Sequence, residues 1–220
     1  MPKAVIFDVD GTLVDSVDLH AQAWVKAFKQ FGYDVPYDKI RHQIGKGSEY
    51  IIPVFISQAE FERLGEDIAT YRKEYYQENL LSQARPFEGV RQLFERLKAD
   101  GKKVVVASSA RTETLTHYKK LLDIEDLVDG ATSTDDVEKS KPHPDIFQAA
   151  LGKLDGVTTQ DAIVVGDSPY DAQAACKINL DVIGVLCGGF SEAELKEAGC
   201  MKVYQNPADL LDNYHQSPLV

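Results

Sequence analysis

The sequence predicts an α/β protein in which a doubly wound parallel sheet carries an inserted all-helical domain. Short, continuously apolar runs alternate with helical patterns along most of the chain, as expected for parallel strands that are covered on both faces. Residues 16–83 instead contain helical patterns and no convincing strand, and a segment of that length exceeds an ordinary crossover connection. We therefore predict a sheet domain formed by residues 1–15 and 84–220 and a helical domain formed by residues 16–83.

Six apolar runs are the predicted strands of the sheet domain. Helix signals stand between several of them. Pro144 is expected at the first position of one helix, and Ser191 and Glu194 have the spacing of a capping box in a helix that ends at Gly199. The predicted strands cover residues 3–7, 103–107, 127–131, 162–165, 182–186 and 202–204.

Two apolar stripes predict the helices of the inserted domain. Ligands of doubly wound sheets bind at the carboxyl ends of the strands. The insertion leaves the chain at that edge, so we expect it to close over a ligand there. The stripes consist of Leu19, Ala23, Trp24, Ala27, Phe28 and Phe31, and of Phe61, Leu64, Ile68, Tyr71 and Tyr75.

The composition limits the possible partners. The chain has 220 residues, of which 44% are apolar, and a formal net charge of −11, with lysines and arginines interleaved among acids. Nucleic acids and anionic membranes require a concentrated basic surface, so neither is expected as a partner. An anionic substrate would need a local positive site made by a metal ion or a few lysines.

The N-terminal segment and the cysteines indicate a cytoplasmic protein. The first apolar run, Ala4–Phe7, is too short for a secretory signal or a transmembrane span. Cys176, Cys187 and Cys200 form an odd set without paired metal-binding spacing. We expect all three to be reduced thiols.

Polar clusters follow the first two predicted strands. Asp8 and Asp10 leave the first strand two positions apart, so both carboxylates can face one site, and Gly11 permits a sharp turn there. Like charges this close are costly unless a cation binds them. Ser108 and Ser109 follow the second strand, where a hydroxyl group and backbone N–H groups could hold a phosphate.

Two further clusters follow later strands. Lys141 is a candidate counter-charge for a phosphate, and Asp167 lies at a strand end, before Ser168, Pro169 and Asp171 at the start of a helix. Taken singly, such residues commonly form turns, helix caps or solvated surface. Acids, hydroxyl groups and a lysine at the ends of separate parallel strands together predict a site for a divalent metal and a phosphate.

These motifs, in this order, closely resemble those of the haloacid dehalogenase superfamily across essentially the whole chain. The first motif of that family matches residues 8–13, and the second matches Ser108. The third matches Lys141 in the form carried by phosphatases of the phosphoglycolate phosphatase and β-phosphoglucomutase type. The fourth matches residues 166–168 followed by Asp171. The resemblance implies a Rossmann-like core with a helical cap and a Mg²⁺-dependent phosphatase activity.

The resemblance also implies a role for each matching residue. Asp8 would attack phosphorus and become an aspartyl phosphate, while Asp10 would protonate the leaving oxygen and then activate water. Asp8, the backbone carbonyl of Asp10, and Asp167 would hold Mg²⁺, a hard cation that prefers oxygen ligands. Asp171 would orient Lys141 or a water on the metal. The residues implied to bind the phosphoryl group are Thr12, Ser108, Ser109 and Lys141.

Substrate choice is expected to lie with the helical domain. Asp15, His20 and Trp24 are similar to the corresponding stretch of β-phosphoglucomutases, which use a histidine at the His20 position. Trp24 also fits the apolar stripe as a core residue, and His20 is open between a site residue and a surface residue. The mutases carry an arginine near the loop at residues 45–49, where this sequence has Lys46 as the candidate substrate contact. That departure favours hydrolysis over isomerisation.

Three function classes are compatible with these motifs. The preferred prediction is a hydrolase of a small phosphorylated metabolite, and the second is a sugar phosphomutase with the same nucleophile. The third is a non-enzymatic phospho-acceptor, since response-regulator receivers also combine acids, a hydroxyl group and a lysine. Receivers are much shorter and carry their phosphorylated Asp after a later strand, whereas all four motifs of the hydrolase are present here.

Overall fold

The chain forms two compact units. The computed structural model describes residues 1–220. One unit, which we call the sheet unit, comprises Met1–Asp15 and Arg85–Val220, and the other, the helical unit, comprises Ser16–Ala84. None of the helices combines the length and the apolarity that a membrane span requires.

Strands and helices alternate through the sheet unit, and helices alone build the helical unit. The strands are β1 (Ala4–Phe7), β2 (Val14–Asp15), β3 (Arg85–Pro86), β4 (Lys103–Ala107), β5 (Gly130–Thr132), β6 (Ala162–Gly166), β7 (Asp181–Val185) and β8 (Lys202–Tyr204). The α-helices are α1 (Val17–Gln30), α2 (Tyr37–Arg41), α3 (Ser48–Ile51), α4 (Gln58–Asn79), α5 (Val90–Ala99), α6 (Thr112–Leu121), α7 (Asp145–Gly152), α8 (Pro169–Cys176), α9 (Glu192–Ala198) and α10 (Pro207–Asp212).

Six strands form one parallel sheet in the order β5-β4-β1-β6-β7-β8, which confirms the predicted fold class. Successive residues of β1 point to opposite faces of the sheet. Ile6 belongs to the core that includes Phe147 of α7, and the ring of Phe7 lies 4.7 Å from that of Phe94 of α5. Both faces are therefore covered by helices, and every residue of β1 is completely buried.

A second, two-stranded sheet joins the places where the chain leaves and re-enters the sheet unit. In it Val14 pairs with Pro86, and Asp15 pairs with Arg85, in antiparallel register. Each strand has only two residues, too few for an alternating or continuously apolar pattern. The sequence therefore does not predict the pairing of β2 with β3.

The helical unit is organised by α1 and α4. Trp24 and Phe28 of α1 are buried in one apolar cluster with Ile68 of α4, which confirms the core interpretation of Trp24. A capping box between Ser57 and Glu60 begins α4, because the serine hydroxyl accepts from the Glu60 N–H while the glutamate accepts from the Ser57 N–H. The apolar stripes thus bury against each other within this unit.

Several predicted boundaries are wrong, most of them by one residue. The strand predicted at residues 127–131 begins only at Gly130. Before it, Asp129 uses its backbone N–H and its carboxylate to bind the carbonyl and the N–H of Val104, both at 2.8 Å, and the preceding residues form a turn. Pro144 is the N-cap of α7 and precedes the first helical residue.

The aromatic contact between β1 and α5 should carry much of the stability of the sheet unit. Phe94 is completely buried, so Phe94→Ala removes a large side chain and leaves a cavity. We expect the free energy of unfolding to fall by about 3–5 kcal/mol, measured by urea-induced unfolding. Met201 is 54% exposed, and Met201→Ala, the control, should change it by less than about 0.5 kcal/mol. Equal stability of the two variants would contradict this packing.

Candidate active site

The parallel register brings three predicted site residues to one edge of the sheet. Phe7, the last residue of β1, pairs with Val106 of β4 and Val165 of β6. Asp8, Ser108 and Asp167 follow these strands, and all three are buried. The carboxyl ends of parallel strands lie at the same edge, so residues far apart in sequence become neighbours here.

Lys141 is the positive centre of this edge. Its side chain is 1% exposed. Its ammonium group forms ion pairs with Asp8 Oδ1 and, at 2.7 Å, with Asp171 Oδ1, and it lies 5.3 Å from the ring centroid of Phe147. Burial is the largest single effect and lowers the pKa of Lys141, but the charges of Asp171 and Asp8 together outweigh it and raise the pKa. The group is therefore a permanent cation.

Asp171 is fixed by the start of α8. Its Oδ2 accepts from the Ser168 N–H at 3.1 Å and from the Ser168 hydroxyl at 2.6 Å. These bonds complete the capping box of α8, whose first residue is Pro169. Because Oδ2 is bound to the helix cap, Oδ1 is left to face Lys141, an arrangement that suits the predicted role of orienting the lysine.

The Thr12 hydroxyl contacts the carboxylates of both Asp8 and Asp167. We expected Thr12 among the residues that bind the phosphoryl group, but it is completely buried. Its hydroxyl lies 3.1 Å from Asp8 Oδ2 and 3.0 Å from Asp167 Oδ1. A threonine hydroxyl has one proton to donate, so it can donate to either carboxylate but to only one at a time. The spacing of Thr12 from Asp8 is the only sequence signal for this contact.

Burial disfavours the ionised forms of Asp8 and Asp167. Burial, opposed by Lys141 and reinforced by Asp171, raises the pKa of Asp8 to about 7. Burial, followed by the charges of Asp8 and Asp171, raises the pKa of Asp167 well above its ordinary value. Carboxylates with such pKa values gain most from a cation that restores their ionised form.

The donor set at this edge fits a hard divalent cation. Asp8, Asp167 and Asp171 each offer a carboxylate oxygen, and these oxygens lie within 4.8 Å of one another. One ammonium group, that of Lys141, cannot neutralise three carboxylates. Mg²⁺ prefers oxygen ligands, often one or two carboxylates together with water. Asp8 and Asp167, two of the predicted ligands, are in this group, and the side chain of Asp10 is not.

Asp10 and Ser109 are less buried than the other residues at this edge, and Ser108 lies beside them. Asp10 is half-buried, and its Oδ2 lies 3.4 Å from the Ser108 hydroxyl. Ser108 is completely buried and also accepts from the Ala110 N–H at 3.0 Å. Ser109 is half-buried beside it. Asp10 therefore has the access to solvent that a proton-transferring group requires.

The helical unit holds its own cluster around His20. The imidazole is buried, stacks on Tyr76 at 4.1 Å, and has Nδ1 2.8 Å from Arg72 Nη2. The guanidinium carbon also lies 5.2 Å from the Trp24 ring centroid. Since arginine can only donate, Nδ1 accepts and Nε2 carries the proton. The surface interpretation of His20 is wrong.

The sequence does not single out Arg72 as a site residue, because a charged helix face is usually solvated. Its only signal is the four-residue spacing from Tyr76, which places both on one face of α4. Lys46, the cation that the sequence favoured, is half-buried and donates to Gln43 Oε1 at 2.5 Å. Burial lowers the pKa of Lys46.

Comparison with known proteins identifies the family of this chain. The family model for haloacid dehalogenase-like hydrolases matches residues 5–185. The chain belongs to this family. A phosphoglycolate phosphatase of Nitrosospira multiformis is 30% identical over 90% of this hydrolase and 89% of its own length. The pyrophosphatase PpaX of Halalkalibacterium halodurans is 29% identical over 77% of this chain and 76% of its own. The crystal structure of a hydrolase from Pseudomonas syringae has a TM-score of 0.87 and 29% identity, covering 98% of this chain and 99% of that one.

Mg²⁺ binding by this hydrolase should depend on pH. Because the pKa of Asp8 is raised to about 7, the metal-free site holds a proton below that pH, and ligation must release it. The affinity should therefore rise as the pH rises through about 7, because Asp8 and Asp167 both have raised pKa values. Isothermal titration calorimetry in two buffers of different ionisation enthalpy measures both the affinity and the protons released. An affinity unchanged from pH 5.5 to 8 would contradict the raised pKa.

Proposed function

We propose that this hydrolase is a Mg²⁺-dependent phosphatase that acts on a small phosphomonoester metabolite through an aspartyl phosphate on Asp8. The observation that carries the proposal is the position of Asp8, paired with the buried Lys141 and grouped with Asp167 and Asp171. A carboxylate nucleophile divides the reaction into two easier steps. Phosphoryl transfer otherwise needs mainly positioning and charge neutralisation, and a metal held beside the buried ammonium group would supply both.

Each step has a residue to carry it. The Asp8 carboxylate forms a bond to phosphorus as the bond to the leaving oxygen breaks, and Asp10 gives that oxygen its proton. Asp10 then takes a proton from water, whose oxygen attacks phosphorus, so that Asp8 and inorganic phosphate are released. Lys141 and Ser108 would hold the phosphoryl oxygens. Mg²⁺, held by Asp8, Asp167 and the Asp10 carbonyl, would neutralise the charge on the transferring group.

The substrate is proposed to be a small phosphorylated metabolite of the kind that phosphoglycolate phosphatases hydrolyse. The name of one relative, a phosphoglycolate phosphatase, supports it. We propose that the helical unit sets the preference through His20 and Lys46. We also propose a cytoplasmic location, because Cys176, Cys187 and Cys200 are all free thiols.

A sugar phosphomutase is the second candidate, and one observation favours it. A mutase must hold a second phosphate of a bisphosphorylated intermediate, which requires another cationic group. The sequence favours Lys46 for this role, whereas in the structure the guanidinium of Arg72 lies beside His20. An arginine binds phosphate in a bidentate manner that a lysine cannot.

Asp8→Asn should abolish the hydrolysis of an aryl phosphate while the protein stays folded. The amide has nearly the same shape but is a poor nucleophile, so activity should fall by several orders of magnitude. Phosphate release measures activity, and circular dichroism measures folding. Asp155 is exposed in the same unit, so Asp155→Asn is the control and should keep full activity. If Asp8→Asn retained more than about a tenth of the activity, covalent catalysis by Asp8 would be excluded.

Inorganic phosphate should be the main product from a sugar phosphate. The assay supplies Mg²⁺, β-glucose 1-phosphate and a trace of the corresponding bisphosphate, and follows free phosphate and glucose 6-phosphate together. Rapid formation of glucose 6-phosphate with little free phosphate would contradict the phosphatase proposal and show that the protein is a sugar phosphomutase. In that case Arg72→Met should remove most of the isomerisation, since the second cationic group would be lost.

A further inference from the structure

The loop after β7 lies directly against the carboxylate cluster, although none of the four motifs includes it. Gly188 ends the 3-10 helix Leu186–Gly188. A Cβ atom added to Gly188 would lie 1.7 Å from Asp167 Oδ2 and 2.4 Å from Asp167 Cγ. Such distances are far below van der Waals contact, so any side chain at this position would displace the carboxylate or the loop.

Both oxygens of the Asp167 carboxylate are therefore constrained by neighbouring groups. Oδ1 accepts a hydrogen bond from the Thr12 hydroxyl at 3.0 Å. Oδ2 is the atom that faces the bare backbone of Gly188. Asp167 is also 3% exposed, so the side chain has little free space in which to adopt another rotamer.

The loop is itself attached to the segment that carries the nucleophile. The Cys187 thiol donates to the carbonyl oxygen of Gly11 at 3.2 Å, three residues beyond Asp8. Burial, together with the negative charge of Asp167, raises the pKa of Cys187. The thiol keeps its proton at neutral pH and remains a donor to Gly11.

We propose that Gly188 is a positioning residue of the metal site, which keeps the Asp167 carboxylate in the arrangement that binds Mg²⁺, and that Cys187 holds this loop in place. The inference rests on the proposed function, because it takes Asp167 as a Mg²⁺ ligand. The loop that follows β7 would thereby contribute to the site, together with the residues that follow β1, β4 and β6.

Gly188→Ala tests this proposal through metal affinity rather than activity. Calorimetric titration of the metal-free, full-length protein with MgCl₂ at pH 7.5 should give a dissociation constant at least about tenfold higher than that of the wild type, a change of about 1.4 kcal/mol. Gly152 ends α7 and would meet no atom within 4 Å as alanine. Gly152→Ala, the matched control, should bind Mg²⁺ as the wild type does.

A second pair of variants avoids the steric clash. Cys187→Ala removes the hydrogen bond to Gly11 and should weaken Mg²⁺ binding about twofold to fivefold. Cys187→Ser restores a donor and should return the affinity close to that of the wild type. If Gly188→Ala does not fold, these two variants still test whether the loop positions Asp167 for Mg²⁺ binding.

Thermal unfolding with and without Mg²⁺ separates positioning from general stability. Ligand that binds only the folded state raises Tm, and Gly188→Ala should show a smaller increase on adding Mg²⁺ than the wild type. A merely structural glycine would lower Tm equally in both conditions and leave the increase unchanged. Wild-type affinity in both Gly188→Ala and Cys187→Ala would overturn this inference alone. A wild-type protein that binds no Mg²⁺ would overturn the proposed function and the inference with it.

Discussion

The buried ammonium group of Lys141 is the interaction on which the rest of the site depends. It pairs with Asp8 and Asp171 in a region closed to water. Removing one partner of such a buried pair leaves an uncompensated charge and is strongly destabilising. A single cation is still too little for the three carboxylates grouped here. The site is thus stable enough to form, and a divalent metal would favour the ionised forms of Asp8 and Asp167 over their protonated forms.

The topology of the sheet explains why these charges meet. β1 lies at the centre, between β4 and β6, so the residue that follows it has neighbours on both sides. Each interior residue of these strands is buried, and the chain can place polar groups only where a strand ends. The buried sheet therefore concentrates polar residues at one edge, where α8 then fixes Asp171 through its capping box.

Much of the sheet and of the carboxylate edge was predictable, because both are encoded locally. An apolar run followed by an acid is visible in one short stretch of sequence, and parallel strands bring such stretches together. The start of β5 was not predictable, since it depends on a bond between the Asp129 side chain and Val104. The contacts of Thr12 with Asp167, of Arg72 with His20 and of Gly188 with Asp167 are also tertiary. Residues far apart in one sequence carry no sign of them.

Covalent participation of Asp8 is the central claim, and chemical trapping tests it most directly. The protein is mixed with Mg²⁺ and a hydrolysable phosphomonoester, quenched during turnover and treated with borohydride, which reduces an aspartyl phosphate to homoserine. Peptide mass spectrometry then locates the reduced residue. We predict homoserine at position 8, dependent on substrate and absent from Asp8→Asn. Unmodified Asp8 in a protein that is turning over substrate, or homoserine at another aspartate, would contradict it.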